Sequence, residues 1–346
     1  MKIAILTFTA CDNYGQRLQN YALQELLKEN GNDVRTILQS EYSITLKRLV
    51  KQFIKLVIGK EKKFNKIKRN IKFYFFDKKY IRYSNMHNTF YELKNATEYD
   101  RFISGSDQVW APVEGRLKMY MQYGIPKEKK YSYAASIASY EIPNELKKKY
   151  KEYLESFSLI SVRENQSKVL LDNILDKNEV RVDLDPTLLL NKSEWQKIEK
   201  KPKWFEKNKY ILVYNLGSVT PQKIEDYAYN HNYKIISIMD ENSKAYLSDP
   251  GEFIYLIHNA EIIYTDSYHG TVFSIIFEKK FVHSVRNIRK NNMNSRFDTL
   301  FGILGIDVNN ISNIDNICIN YNDINIKLET ERKKSLKTIR ILANKV

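Results

Sequence analysis

The sequence predicts an α/β fold, with two Rossmann-like, doubly wound domains facing each other across a cleft. Three observations carry this. Short apolar runs alternate with amphipathic stretches along most of the chain, the pattern of a parallel sheet covered by helices. The alternation runs twice, before and after about residue 190, and no shorter unit repeats. The 346 residues leave room for two cores, since a domain takes roughly 100–200 residues.

KIAILTF (2–8) reads as a first core strand; its apolar run is too short for a leader peptide and flows into a patterned helix. The loop TACDNYG leads to QRLQNYALQELLKENG, where Leu18, Tyr21, Ala22 and Leu26 form one helical face and Asn30-Gly31 supplies the stop. DVRTIL is the next strand. Further strands fall at 101–105, 130–136, 159–163 and 180–185, with a helix over NELKKKYKEYLESF. The second unit follows DPTLLLNKSEW: strand 210–217, helix 221–232, strand 233–240, helix 250–260, strand 261–266, helix 270–279 and strand 280–285. A final helix in 326–346 is expected to pack back on the first domain. The expected domains are 1–190, 191–310 and a tail, 311–346.

The net charge is +15, and residues 45–82 hold fourteen Lys and Arg against Glu61 and Asp77, a net +12. Within this basic insertion Leu46, Leu49, Val50, Phe53 and Val57 recur at helical spacing, while Lys47, Arg48, Lys51 and Lys55 fall mostly elsewhere on the wheel. Two readings stand: a helix packed on the domain with its lysines solvated, or one lying on an anionic membrane surface. No nucleic-acid motif accompanies the charge. Cys11 and Cys318, at opposite ends, form no disulfide framework and no zinc spacing, and no apolar run is long enough to cross a bilayer. A cytoplasmic protein is expected, peripheral at the inner membrane face in the second reading.

Ligands of such sheets bind where strands run into helices, which selects ACDNYG, SGSDQVW, SVREN, DLDPT, NLGSV and TDSYHG. His269 follows a strand and precedes a helix, where it is either a loop polar residue or an acid–base group. Arg163 ends a strand with a group suited to carboxylate or phosphate, or else pairs with Glu164 at the surface. Asp107 either orients a sugar hydroxyl or, the favoured reading, holds its own loop; Asp185, before Pro186, reads as a turn former. There is neither a dinucleotide fingerprint nor a P-loop. His231, His258 and His283 lack metal-ligand spacing, so no metal site is expected.

Taken together, KIAILTFTACDNYGQRLQNYALQ, RFISGSDQVW, YSYAAS, ISVRE, DPTLLL, YILVYNLG, NAEIIYTDSYHGTVFSIIF and NSRFDTLFGILG, in this order, resemble the polysaccharide pyruvyl transferase family. The resemblance spans residues 1 to about 305. It implies a fold similar to the GT-B glycosyltransferases and transfer of the enolpyruvyl unit of phosphoenolpyruvate to a sugar as a cyclic ketal. Phosphoenolpyruvate enters as co-substrate, with no cofactor. His269 matches the catalytic histidine of the family, and Asp107 a conspicuous acid placed beside it in the catalytic set. Arg163 matches the donor-contacting arginine. Ser267 and Gly270, from the same element as His269, join the donor side. Asn294, Ser295 and Arg296 match an element that closes the donor pocket. Asn13, Tyr14 and Gly15 match the first loop and are expected to line the acceptor side. SVRENQSKVL departs from the family in lacking a glycine after the arginine and acid, which implies a stiffer loop.

In this reading arginines and helix N-termini hold the donor's carboxylate and phosphate, and His269 moves protons at hydroxyls. The acceptor is a sugar of a surface polysaccharide or its precursor, lipid-linked if the basic insertion meets a membrane. Two other functions remain open from sequence: a GT-B glycosyltransferase using a nucleotide sugar, and a non-catalytic partner in polysaccharide assembly.

Overall fold

The computed structural model describes all residues except 10–11, 30, 39–49, 52–53, 55–63, 88–92, 94–96, 177–178, 286–293 and 345–346. Most of the expected amphipathic helix at 46–57 therefore lies outside the described residues, as does Cys11. In chain order the elements are β1 (Lys2–Leu6), α1 (Tyr14–Lys28), β2 (Asp33–Leu38), α2 (Phe64–Tyr80), β3 (Tyr83–His87), β4 (Arg101–Ser104), α3 (Glu114–Tyr120), β5 (Lys130–Ser132), α4 (Asn144–Leu154), β6 (Ile160–Val162), α5 (Asn165–Asp172) and β7 (Val180–Val182). The short helices α6 (Pro186–Leu189) and α7 (Lys192–Gln196) follow. The second unit contains β8 (Tyr210–Tyr214), α8 (Gln222–Asn230), β9 (Lys234–Ser237), α9 (Pro250–His258), β10 (Ile262–Thr265), α10 (Tyr268–Ile276), β11 (Lys280–His283) and α11 (Ser295–Leu304), and α12 (Tyr321–Ala343) ends the chain.

The first sheet has the order β3-β2-β1-β4-β5, all parallel. Single parallel bridges from Tyr131 to Leu159 and from Ala135 to Val162 join it to the parallel pair β6-β7. The second sheet is β11-β10-β8-β9, also parallel. Strands β8 and β10 are buried along their whole length, as strands covered on both faces must be, and so read as continuous apolar runs. Strand order reverses between β1 and β4 in the first sheet and between β8 and β10 in the second. The loops at these two reversals are where open α/β sheets bind ligands.

Two boundaries differ from expectation in ways that matter for the site. Helix α1 begins at Tyr14, capped by Asn13, whose side chain accepts from Gln16 N; Tyr14 and Gly15 thus stand in its first turn rather than in a loop. Helix α10 begins at Tyr268, so His269 lies in the first turn instead of before it. Strand β3 was hidden by the basic run that precedes it. Helix α12 starts five residues earlier than the apolar periodicity indicated, at an Asn320 cap that accepts from Asp323 N.

Helix α12 returns to the first unit through polar anchors. Asn32 Nδ2 donates to Ala343 O at 2.9 Å, Ser335 Oγ accepts from Leu184 N at 2.9 Å, and Arg332 Nε donates to Leu188 O at 2.6 Å. Among the described residues no helix is long and apolar enough to cross a membrane.

The seam between the two units is aromatic and ionic. Tyr14 lies flat on Phe253 of α9, ring centroids 4.4 Å apart, and donates its hydroxyl to Ser248 O at 2.8 Å. Arg69 of α2, fully buried, reaches Asp12 Oδ2 at 2.7 Å, the Tyr14 hydroxyl at 2.8 Å and Tyr246 O at 2.5 Å. One guanidinium thus satisfies acceptors from both units. Removing one member of a buried pair strands the other, so Arg69→Leu is expected to lose about 3–5 kcal/mol in urea-unfolding measurements. An unchanged midpoint would show that the seam does not depend on this residue.

Candidate active site

The loops at the two strand-order reversals meet across one cavity of about 140 Å³, lined by Asn13, Gln16, Asp107, Gln108, Leu216, Ser267, Tyr268, His269 and Arg296. Its floor is made at the start of α10. Ser267 caps this helix by accepting from Gly270 N at 3.3 Å, and Thr265 Oγ1 ties the turn to β8 through Tyr214 O at 2.6 Å. Gly270 lies so close to this strand that a Cβ there would sit 2.4 Å from Thr265 Oγ1. Its lack of a side chain serves helix–strand packing, and its N–H is spent on the cap.

His269 is 7% exposed, and its Nε2 lies 3.5 Å from Asp185 Oδ2. The other edge of the ring rests on α1: a Cβ on Gly15 would fall 2.0 Å from Nδ1. Gly15 therefore leaves the imidazole its space, beside Nδ1. Tyr14 is fully buried in the seam and does not line the cavity. Of the three first-loop residues, only Asn13 does.

Asp185 is the residue that sequence reasoning under-read. It is a turn former, since Oδ1 accepts from Thr187 N at 3.0 Å and caps α6. Its other oxygen, however, accepts from Arg163 Nη1 at 2.7 Å and Ser106 Oγ at 2.9 Å while facing His269. The side chain is wholly out of solvent. Burial pushes its pKa upward, but the charges and hydrogen bonds of His269 and Arg163 outweigh this and hold the carboxyl well below its ordinary value. The available signal was positional, because Asp185 follows, by three residues, the strand paired with the one that Arg163 follows.

Arg163 does not pair at the surface with Glu164. It is buried, its Nε stands 4.0 Å from Glu164, and its partner is Asp185. Glu164 instead accepts from Ile137 N and Ala138 N at 3.0 Å each, fixing the loop after β5. The stiffness implied by the missing glycine has a direct form here, for α5 begins at Asn165 with Glu164 as its N-cap residue. Burial works against the Arg163 charge, yet Asp185, Tyr268 and Asp107 more than restore it and its pKa is raised. Its Nε and Nη2 are buried without a hydrogen-bond partner among the described residues. Buried donors in native proteins are nearly always paired, so this guanidinium has unused capacity.

Arg163 and Arg296 both stack on the Tyr268 ring, at 4.6 and 5.4 Å from its centroid. Burial, together with the like charge of Arg163, pushes the Arg296 pKa down to about 10. Two desolvated cations near one ring make a field that an anion relieves. Asp107 lines the same cavity, 3.9 Å from Arg163 Nη2, with φ of +80°. Ala134 and Ala138, in the next loop, also have positive φ (47° and 51°). Such backbone strain persists where the surroundings hold it, commonly at functional sites.

Asp266 accepts from Leu216 N, Gly217 N and Ser218 N at 2.6–2.9 Å, so the NLGS loop is closed around a carboxylate of the chain itself. His283 packs on Phe297, ring centroids 4.3 Å apart, and burial pushes its pKa down to about 4, which makes it a neutral core residue. Among the described residues no three His, Cys, Asp or Glu side chains converge as metal ligands.

Two parallel Rossmann-like sheets meeting at their strand-order reversals define the GT-B architecture. Solved structures of this kind include the UDP-GlcNAc 2-epimerase of Methanocaldococcus jannaschii, at TM-score 0.51 and 13% identity, covering 99% of each chain. Another is S. aureus MnaA in its UDP co-structure, at TM-score 0.50 and 10% identity, covering 100% of this chain and 98% of that one. At such identities the likeness is one of fold. A sequence model of the polysaccharide pyruvyl transferase family matches residues 13–287, and the chain belongs to that family. No curated protein matches the chain.

Gly15→Ala tests the packing. Its methyl must displace the His269 ring, at a cost of roughly 1–3 kcal/mol for overpacking. The measurement is a lowered melting temperature with a moved His269 imidazole resonance and unmoved His231 and His258 signals. Unchanged stability and an unchanged resonance would show room that the structure does not have.

Proposed function

We propose that this member of the pyruvyl transferase family moves the enolpyruvyl unit of phosphoenolpyruvate onto a sugar of a surface polysaccharide or its precursor, forming a pyruvate ketal. The observation that carries this is the buried Arg163–Asp185 pair, which faces His269 while two guanidinium nitrogens of Arg163 have no hydrogen-bond partner among the described residues. A donor bearing both a carboxylate and a phosphate suits two arginines set at a helix N-terminus. Arg163 and Arg296 are the donor-binding residues in this reading, with Ser267 at the helix start.

The reaction needs one proton on C3 of the donor, which makes C2 an oxocarbenium centre. A sugar hydroxyl adds to C2 and gives up its proton, the C2–O bond to phosphate breaks, and a second hydroxyl adds and closes the ring. Two protons come off hydroxyls and one goes to C3; the surplus leaves with phosphate. His269 takes protons from the attacking hydroxyls. Its Nε2 is sealed from solvent against Asp185, so a proton held there leaves Nδ1 as the working nitrogen. A carboxylate fixing the tautomer of a catalytic imidazole is a familiar arrangement. Asp107, on the same cavity wall, is positioned to orient an acceptor hydroxyl.

The UDP-bound neighbours raise the rival donor, a nucleotide sugar. The closed NLGS loop weighs against it, since backbone N–H groups that would cradle a diphosphate are already bonded to Asp266.

Calorimetric titration separates the two. Phosphoenolpyruvate is expected to bind saturably, and Arg296→Ala to weaken it at least tenfold, the worth of about 1.5–3 kcal/mol for a charge-assisted bond. Binding of a UDP-hexose with indifference to phosphoenolpyruvate would overturn the reading. In turnover, followed as phosphate release with polysaccharide precursors, Asp185→Asn is expected to lose about 100-fold or more. Turnover within a few-fold of wild type would remove Asp185 from the mechanism.

A further inference from the structure

Helix α2 buries one face against the protein. Ile67, Arg69, Asn70, Phe73, Phe76 and Asp77 are buried, with Asp77 paired to Arg17 at 2.9 Å. The opposite face carries Phe64, Lys68, Lys72, Phe75, Lys78 and Lys79, all within about a third of the helical circumference at 3.6 residues per turn. Phe64 is 47% and Phe75 is 64% exposed. The only acid of α2 is the buried Asp77, and of these lysines Lys72, at the edge of the stripe, is paired with Glu252 Oε2 at 2.8 Å. Just upstream, Val50 and Ile54, one helical turn apart and both helical, are 51% and 53% exposed.

We infer that this stripe is a docking surface for an anionic lipid bilayer. Exposed aromatic rings alternating with lysines match what the interface offers: rings enter the headgroup–acyl boundary while long lysine stems place their charges at the phosphates. Folding spends Lys72 on Glu252 but leaves Lys68, Lys78 and Lys79 to carry the charge complementarity, since the acid within α2 is consumed by Arg17. A solvated structural face explains the lysines but leaves four large apolar side chains in one segment without a role.

The stripe also has a direction. Asn65, next to Phe64, donates to Glu241 O of the second unit at 2.8 Å, and Arg69 grips Asp12 at 2.7 Å, the residue before cavity-lining Asn13. The N-terminal end of α2 thus stands at the rim of the cleft on the Asn13 side. A protein seated through this stripe presents that rim to the membrane. This deepens the proposed function and rests on it only for the cargo: the acceptor sugar is one carried on a membrane lipid, entering past Asn13 and Gln16.

Flotation with vesicles tests the surface without any acceptor. The full chain is expected to float with phosphatidylcholine vesicles containing one third phosphatidylglycerol (about a third by mole), to stay behind with pure phosphatidylcholine, and to release in high salt. The combined variant Phe64→Ser, Lys68→Glu, Phe75→Ser and Lys78→Glu, all at exposed positions, is expected to bind at least tenfold more weakly with the wild-type melting temperature. Equal flotation of the variant or no flotation of wild type would each overturn the inference. Phosphoenolpyruvate affinity, measured on the same variant, is expected to be unchanged, so failure of this surface is read separately from failure of the proposed reaction.

Discussion

A guanidinium and a carboxylate, Arg163 and Asp185, lie 2.7 Å apart with neither side chain in contact with solvent. Desolvating two charges costs several kcal/mol per ion, and a single contact repays that only when the remaining donors and acceptors are also used. Asp185 meets the condition through Ser106, Thr187 and His269. Arg163 does not, and leaves two nitrogens without a hydrogen-bond partner among the described residues. The rest of the site is arranged around that imbalance. Tyr268 stacks on Arg163, Arg296 adds a second cation, and α10 brings its N-terminus to the same point.

Holding such a pair requires rigid support from both units. Arg163 and Asp185 stand in the loops that follow adjacent parallel strands of the first unit, whereas His269 and Tyr268 come from the second. Their registration depends on the seam, where Tyr14 lies flat on Phe253 and Arg69 ties α2 to Asp12 and to Tyr246. Gly15 belongs to this arithmetic of space, since the first turn of α1 can approach the imidazole only without a side chain. Site and seam are the same construction seen from two sides.

Much of this was legible in the sequence because parallel α/β folds write themselves in apolar runs. β1, β8 and β10 are buried on both faces and read as unbroken hydrophobic segments. His269 and Arg163 stood out as titratable or charged residues at strand or helix ends, whereas Arg296 was legible only through the family resemblance. Asp185 did not, because capping α6 accounts fully for an Asp before Pro and hides its second partner. Tyr14 and Gly15 were placed on the cleft because a loop residue and a residue in the first turn of a helix look alike in sequence. Only the turn of α1 sends one into the seam and the other beneath a ring. Strand β3 was masked by its basic neighbourhood, where composition spoke louder than period.

The central claim is that Asp185 acts through His269, so that the two form one catalytic unit rather than two contributions. A double-mutant cycle on turnover, comparing Asp185→Asn, His269→Ala and the pair, addresses it directly, since residues working as a unit are strongly non-additive. The account predicts that the double variant is no slower than His269→Ala alone. If the two losses multiply, Asp185 serves the site independently of the imidazole, and the assignment of Nδ1 as the working nitrogen is wrong.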